Sequence, residues 1–200
     1  MNVDEVVSAG IALTDREGLA SLSIRKLATE LGSGAMSVYR HVESRDQLVQ
    51  LMVDSALGAP PATIREAADW RQRTARWVEA IVGRYLQHPW LTEAPVDAGI
   101  TTRNRAEWLE TLLFALAESG LPMPKLLDAA LLIDGHGRAT ATLARMVAAG
   151  PPAAAPSLDP LEFPYLTQAF ALGSLSDGPE GDFGLQRILD GIEVFAQATA

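Results

Sequence analysis

Apolar positions repeat at helical spacing along most of this chain, and no segment keeps the period of two that a half-buried strand requires. Val3, Val6, Val7, Ile11 and Thr14 share one helical face, and Gly18 suits a C-terminal stop. Ser23 is placed as an N-cap, with Leu22 and Leu27 spaced as a hydrophobic staple, and Ile24, Leu27, Ala28 and Leu31 line the next face. Gly32-Ser33-Gly34 breaks that helix, because glycine reaches backbone angles other residues avoid. A second short helix is predicted from Ala35 to Val42. Ser44 and Gln47 form a capping box for a longer one bearing Leu48, Leu51 and Met52.

The stretch Gly58 to Thr63 (GAPPAT) is the natural domain boundary. Beyond it the pattern predicts helices over Glu66–Gln87, Arg103–Ser119, Pro124–Ala149, Leu161–Leu172 and Phe183–Ala198. The first ends at His88-Pro89, since the residue before proline avoids helical geometry. A Pro/Ala-rich loop is expected over Pro151–Pro160, and a Gly/Ser/Asp loop before the last helix. The fold class is therefore all-α: a three-helix head over residues 1–57 and a helical body over 58–200.

Composition narrows the function. Hydrophobic residues make up 48% of the 200 positions, enough for a packed core. Cysteine is absent, which removes disulfides, thiolate metal sites and cysteine nucleophiles, and fits a cytoplasmic protein. The opening MNVDEVVSAGIALTD has acids where a secretory signal needs bases, and no run approaches the ~20 apolar residues of a membrane span. The net charge of −9 argues against a general nucleic-acid binder, but Arg16 to Arg45 carries five bases against three acids. A locally basic face on an acidic body still binds phosphates while suppressing non-specific contacts.

Two short helices joined by a glycine turn and packed on a third form the layout that sets one helix in the major groove. Val38 and Val42, four apart, anchor the inner face of the second helix and leave Ser37, Tyr39, Arg40 and His41 free to point outward. Hydroxyls and a ring nitrogen suit phosphate oxygens, and arginine pairs bidentately with guanine. A solvated polar face on a small helix fits the same spacing equally well.

The stretch Gly18-Leu19-Ala20-Ser21-Leu22-Ser23-Ile24-Arg25-Lys26-Leu27-Ala28-Thr29-Glu30-Leu31-Gly32 adds specificity, with Val38-Tyr39-Arg40-His41-Val42 and Arg45-Asp46-Gln47-Leu48. Together they resemble the DNA-binding domain of the tetracycline-repressor (TetR) family over about residues 3–57. His88-Pro89-Trp90, and Phe183-Gly184-Leu185 leading into Leu189-Asp190-Gly191, look like features of many actinobacterial-type members. The resemblance implies that Arg25 approaches a base edge or phosphate. It implies that Ser37, Tyr39 and His41 contact phosphates or base edges, and that Arg45 contacts phosphate from the start of the following helix. Two departures stand out: Ile24 replaces the threonine of several members, and the turn Ser33-Gly34-Ala35-Met36 offers few base-reading groups. Tetracycline-binding relatives hold the drug with a histidine at the start of the second domain, where Ala59 to Ile64 has none.

In the body, Trp70, Thr74, Trp77, Ile81, Tyr85 and His88 form one stripe that Trp90 and Trp108 can join. It is either a core stripe with satisfied polar tips or the lining of a pocket for flat, mostly apolar ligands. His136 and Arg138 are further candidates to orient such an effector, although Asp134 and Arg138, four apart, also suit a plain ion pair. Leu126, Ala130, Ile133, Gly137, Ala141 and Ala144 form a small-residue face, and Leu185, Ile188, Leu189, Ile192 and Phe195 an apolar stripe. Both are expected to build a homodimer, or else to finish the core of the lone chain.

Catalysis finds no support. The three histidines, His41, His88 and His136, lack paired metal-ligand spacing, and no nucleophile elbow or phosphate-cradling loop is present, so neither metal nor cofactor is expected. The expectation is a ligand-responsive, non-enzymatic repressor. As a homodimer it grips palindromic double-stranded operator DNA and is released by a small, mostly apolar effector, with no membrane involved. An all-helical carrier or enzyme on a vestigial DNA-binding fold is the alternative, but it has no use for Tyr39, Arg40, His41 and Arg45 at phosphate-contact spacing.

Overall fold

The computed structural model describes residues 1–94, 102–150, 159–171 and 181–199. Among them every regular element is helical. The chain falls into two compact units, Met1–Ser119 and Gly120–Ala200.

The first unit opens with α1 (Val3–Glu17). Asn2 Oδ1 accepts from the Glu5 N–H at 2.8 Å and Glu5 Oε2 accepts from the Asn2 N–H at 3.0 Å, closing a capping box. The helix ends at Gly18, whose φ of 81° favours glycine. Val6, Val7 and Leu13 are buried. Gly10 admits Met52 closely: a Cβ there would lie 2.8 Å from Met52 Sδ. Helix α2 (Ile24–Glu30) is capped by Ser23, whose hydroxyl accepts from the Lys26 N–H at 3.2 Å. Leu22 and Leu27 are both buried, as a staple requires.

Helix α3 is shorter than the pattern predicts, Ala35–Val38 rather than Ala35–Val42. Buried Val38 and Val42 keep the inner face, but the last turn tightens: the His41 N–H donates to Val38 O, three residues back, at 2.9 Å. Helix α4 (Arg45–Leu57) begins with the Gln47 N–H donating to Ser44 Oγ at 3.0 Å. The Gln47 side chain accepts from the Glu43 N–H instead of completing the box on Ser44.

Helix α5 spans Trp70–Gln87, four residues shorter at its start than the periodicity suggests. The Asp69 carboxylate accepts from the Gln72 N–H at 2.8 Å and fixes the start there, after a 3-10 turn over Ala62–Ile64. Helix α6 (Arg103–Leu116) passes into a 3-10 turn, Ala117–Ser119.

The second unit contains α7 (Met123–Ala149), α8 (Pro164–Ala171) and α9 (Gly181–Thr199), with α9 packed on α7. Most of the two stripes expected at a dimer interface packs within the lone chain, while Ala144 and Ile188 stay half-buried and Phe195 exposed. Leu126, Ala130, Ile133 and Ala141 of α7, and Leu185, Leu189 and Ile192 of α9, are buried in the lone chain. Each helix carries more apolar residues than one face holds, and the surplus is outside: Met123, Leu127 and Leu131 on α7, Val194 and Phe195 on α9. Most of the expected Pro/Ala-rich and Gly/Ser/Asp loops fall at 151–158 and 172–180, outside the described residues. Among the described residues no helix is long and apolar enough to cross a membrane.

Candidate functional site

The polar set of the head faces outward. Arg25, Tyr39 and Arg40 are exposed, and Ser37 and His41 half-buried. Tyr39 keeps 47% of its surface in water although its ring is largely apolar. Arg16 pairs with Glu30 at 2.7 Å, and Lys26 with Glu17, so two of the five local bases are spent tying α1 to α2. The Lys26 ammonium hydrogen-bonded to Glu17 holds that carboxyl below the usual carboxylate range. Arg25 and Arg40 have no carboxylate partner among the described residues, and Arg40 makes only a 3.4 Å approach to Ser37 Oγ. The guanidinium groups of Arg25 and Arg40 therefore remain available to an external anion.

Arg45 is differently placed. Its Nε donates to Leu22 O at 3.0 Å and its Nη2 to Leu19 O at 3.1 Å, so it braces the approach to α2 from the start of α4. About two-fifths of its side chain, 43%, stays exposed, with Nη1 3.8 Å from Asp46.

The aromatic candidates are sequestered. Trp77, Tyr85 and Trp108 are 2%, 2% and 3% exposed. The two indoles pack edge to face with centroids 5.6 Å apart. Trp77 Nε1 donates to Trp108 O at 2.9 Å, and Trp108 Nε1 donates to Gly58 O at 2.8 Å. This is the core arrangement with satisfied tips, and it fastens the linker glycine to α6. Trp70 is half-buried beside the Arg71 guanidinium, 5.3 Å from its ring centroid. His88 turns to the head: its Nδ1 lies 2.9 Å from Asp15 Oδ1, which also accepts from Trp90 Nε1 at 2.7 Å.

In the second unit His136 lies under the backbone of Gly184, where a Cβ would come within 2.7 Å of its Cε1. The ring is thus engaged by α9. Arg138 Nε donates to Asp134 Oδ2 at 2.9 Å, the plain ion pair its spacing allowed.

Three residues that join the head to the rest of its unit carry no sequence signal. Asp15 takes both ring donors of the His88-Pro89-Trp90 corner. Asp54 of α4 accepts from the Asn104 backbone N–H at 2.8 Å and from its side chain at 3.2 Å, while Asn104 Nδ2 also donates to Asp54 O at 2.9 Å. An isolated acid on a helix looks like a solvated charge until its partner, 50 or more positions away, is known. Among the described residues no cluster of histidines and carboxylates could hold a metal ion.

A family model described as the tetracyclin repressor-like C-terminal domain matches residues 61–196. The HTH-type transcriptional repressor DrrR1 of Streptomyces coeruleorubidus is 34% identical over 215 residues, covering 97% of this chain and 78% of its own. ActR from Streptomyces coelicolor, solved in complex with actinorhodin, superposes with a TM-score of 0.74 at 24% identity, covering 98% of each chain. BioQ of Mycobacterium smegmatis, solved with its double-stranded DNA operator, superposes with a TM-score of 0.70 at 19% identity, covering 97% of this chain and 99% of that one.

Proposed function

The chain belongs to the tetracycline-repressor (TetR) family of transcriptional regulators, and from that premise we propose that it is a ligand-responsive repressor whose head, residues 1–57, grips a palindromic operator. One recognition helix reads a half-site, so the working form is a homodimer. The exposed apolar faces of α7 and α9, with Leu131 and Val194 as markers, suit its interface. Residues 58–200 bind a small, mostly apolar effector and dimerise. The protein acts in the cytoplasm and performs no catalysis.

The observation that carries the reading is the outward set Arg25, Ser37, Tyr39, Arg40 and His41, with Arg25 and Arg40 lacking acidic partners among the described residues. Tyr39, Ser37 and His41 contact phosphates; Arg40 reads a base edge. Arg45 holds the start of α2 and offers its exposed edge to phosphate. Release is a population shift: an effector that prefers the dimer with badly spaced heads lowers operator affinity by no more than that preference. The Asp54–Asn104 and Asp15–His88–Trp90 contacts are the rigid joints through which the body holds the head. ActR with actinorhodin and BioQ with its operator are neighbours in fold that carry the two kinds of ligand this reading requires.

Footprinting the full chain on the DNA upstream of its own gene tests this. Two protected half-sites related by a dyad, requiring a higher protein concentration when Arg40→Ala replaces the wild type, are the expected result. Protection without a dyad, or none at all, contradicts it.

A further inference from the structure

Inside the Met1–Ser119 unit lies an open groove of about 620 Å³, within the size range of small-molecule sites. Leu19, Val49 and Val53 line it from the head, and Thr102 and Arg105 from the start of α6. Two of its polar side chains, on Thr102 and Arg105, are idle among the described residues. Arg105 is half-buried and has no hydrogen-bond or ion-pair partner among the described residues. Thr102 Oγ1 is buried from solvent and lacks a partner there as well, and its side chain does not cap α6. A partly desolvated guanidinium keeps five donors in a planar fork, and a buried hydroxyl without a partner is costly.

The other charges around the groove narrow the ligand. Arg45 is committed to the carbonyls of Leu19 and Leu22. Exposed Asp46 and Glu93 line the same groove and repel a polyanion such as a nucleic-acid backbone. What fits is a single negative charge on an apolar body. We propose that this groove is a binding site for an amphipathic organic monocarboxylate. The carboxylate meets the Arg105 guanidinium bidentately, Thr102 Oγ1 donates to it, and the apolar part lies on Leu19, Val49 and Val53. An occupant touches both the head and α6, and so restrains one against the other. The site does not depend on the DNA-binding reading and is tested without DNA.

Titration calorimetry of the full chain with 1-naphthoate and octanoate, against 1-naphthamide and octanamide, provides that test. The carboxylates should bind at one site per chain, and the amides about tenfold more weakly, the loss of one charge-assisted contact. Arg105→Gln should weaken the carboxylates by a similar factor and erase the difference between acid and amide. Thr102→Val should weaken both acids by a smaller factor, with the melting temperature lowered in neither variant and raised by Thr102→Val, which removes a buried unpaired hydroxyl. Carboxylate binding untouched by Arg105→Gln, amides that bind as well as acids, or no binding of either acid at millimolar concentration overturns the proposal.

Discussion

Tyr39 and Tyr85 are the same residue type in the same unit, yet one leaves 47% of its surface in water and the other 2%. His41 and His88 are both half-buried and differ in partner instead: His88 is turned onto Asp15, while His41 belongs to the outward set. Around α5 and α6 each indole N–H of Trp77, Trp90 and Trp108 is consumed by a carbonyl or carboxylate of the chain itself. Around α3 the polar tips are left over. Folding dictates partners for buried polar groups, because leaving them unmade costs about 1–3 kcal/mol each. A surface that keeps such groups unpaired is available to a partner outside the chain. The contrast separates residues that hold the protein together from those that meet its target.

The largest effect expected from breaking this contrast is on stability. Trp108→Ala removes a buried indole, its edge-to-face contact with Trp77 and the bond to Gly58 O, and should cost about 3–5 kcal/mol. Chemical denaturation measures it. A variant as stable as the wild type would mean that the indole is a pocket wall rather than core. Arg45→Ala should act on both sides of the contrast. Losing two bonds to backbone carbonyls lowers stability by about 1–2 kcal/mol, and operator affinity falls with it. Loss of operator affinity with no loss of stability would reassign Arg45 to phosphate contact alone. Tyr39→Phe should leave the melting curve unchanged and cost about 1 kcal/mol of operator affinity, nearly equally on all sequences, as a lost phosphate contact does. Competition with unrelated DNA reads that equality.

The head was legible in the sequence because its determinants are local. Ser23 and Ser44 cap helices within three residues of themselves, Gly18 and Gly32 adopt positive φ, and Val38 and Val42 mark an inner face. Apolar spacing sets the start of α5 four residues early because Asp69 caps within a stretch whose spacing continues upstream. The tail of α3 follows regular helical spacing, which does not distinguish an α-turn from a tightened one. Of the body, Trp77 is legible as part of a stripe that Trp108 can join, but whether their tips are satisfied depends on Trp108 O and Gly58 O, far away in sequence. Asp15 with His88, Asp54 with Asn104 and His136 under Gly184 are pairings of distant residues that leave no periodic trace. The inward turn of Leu185, Leu189 and Ile192 was likewise beyond the pattern, which reports an apolar face without saying what covers it.

The central claim is that the leftover polar groups of the head read DNA. The most direct test is a fluorescence-anisotropy titration of wild type and Arg40→Ala on the operator found by footprinting, repeated with every base pair of one half-site changed in turn. Arg40→Ala is expected to lose about 1–3 kcal/mol and to become indifferent to one base pair at which the wild type discriminates. Equal affinity of the two proteins, or an unaltered preference at every base pair, would contradict it.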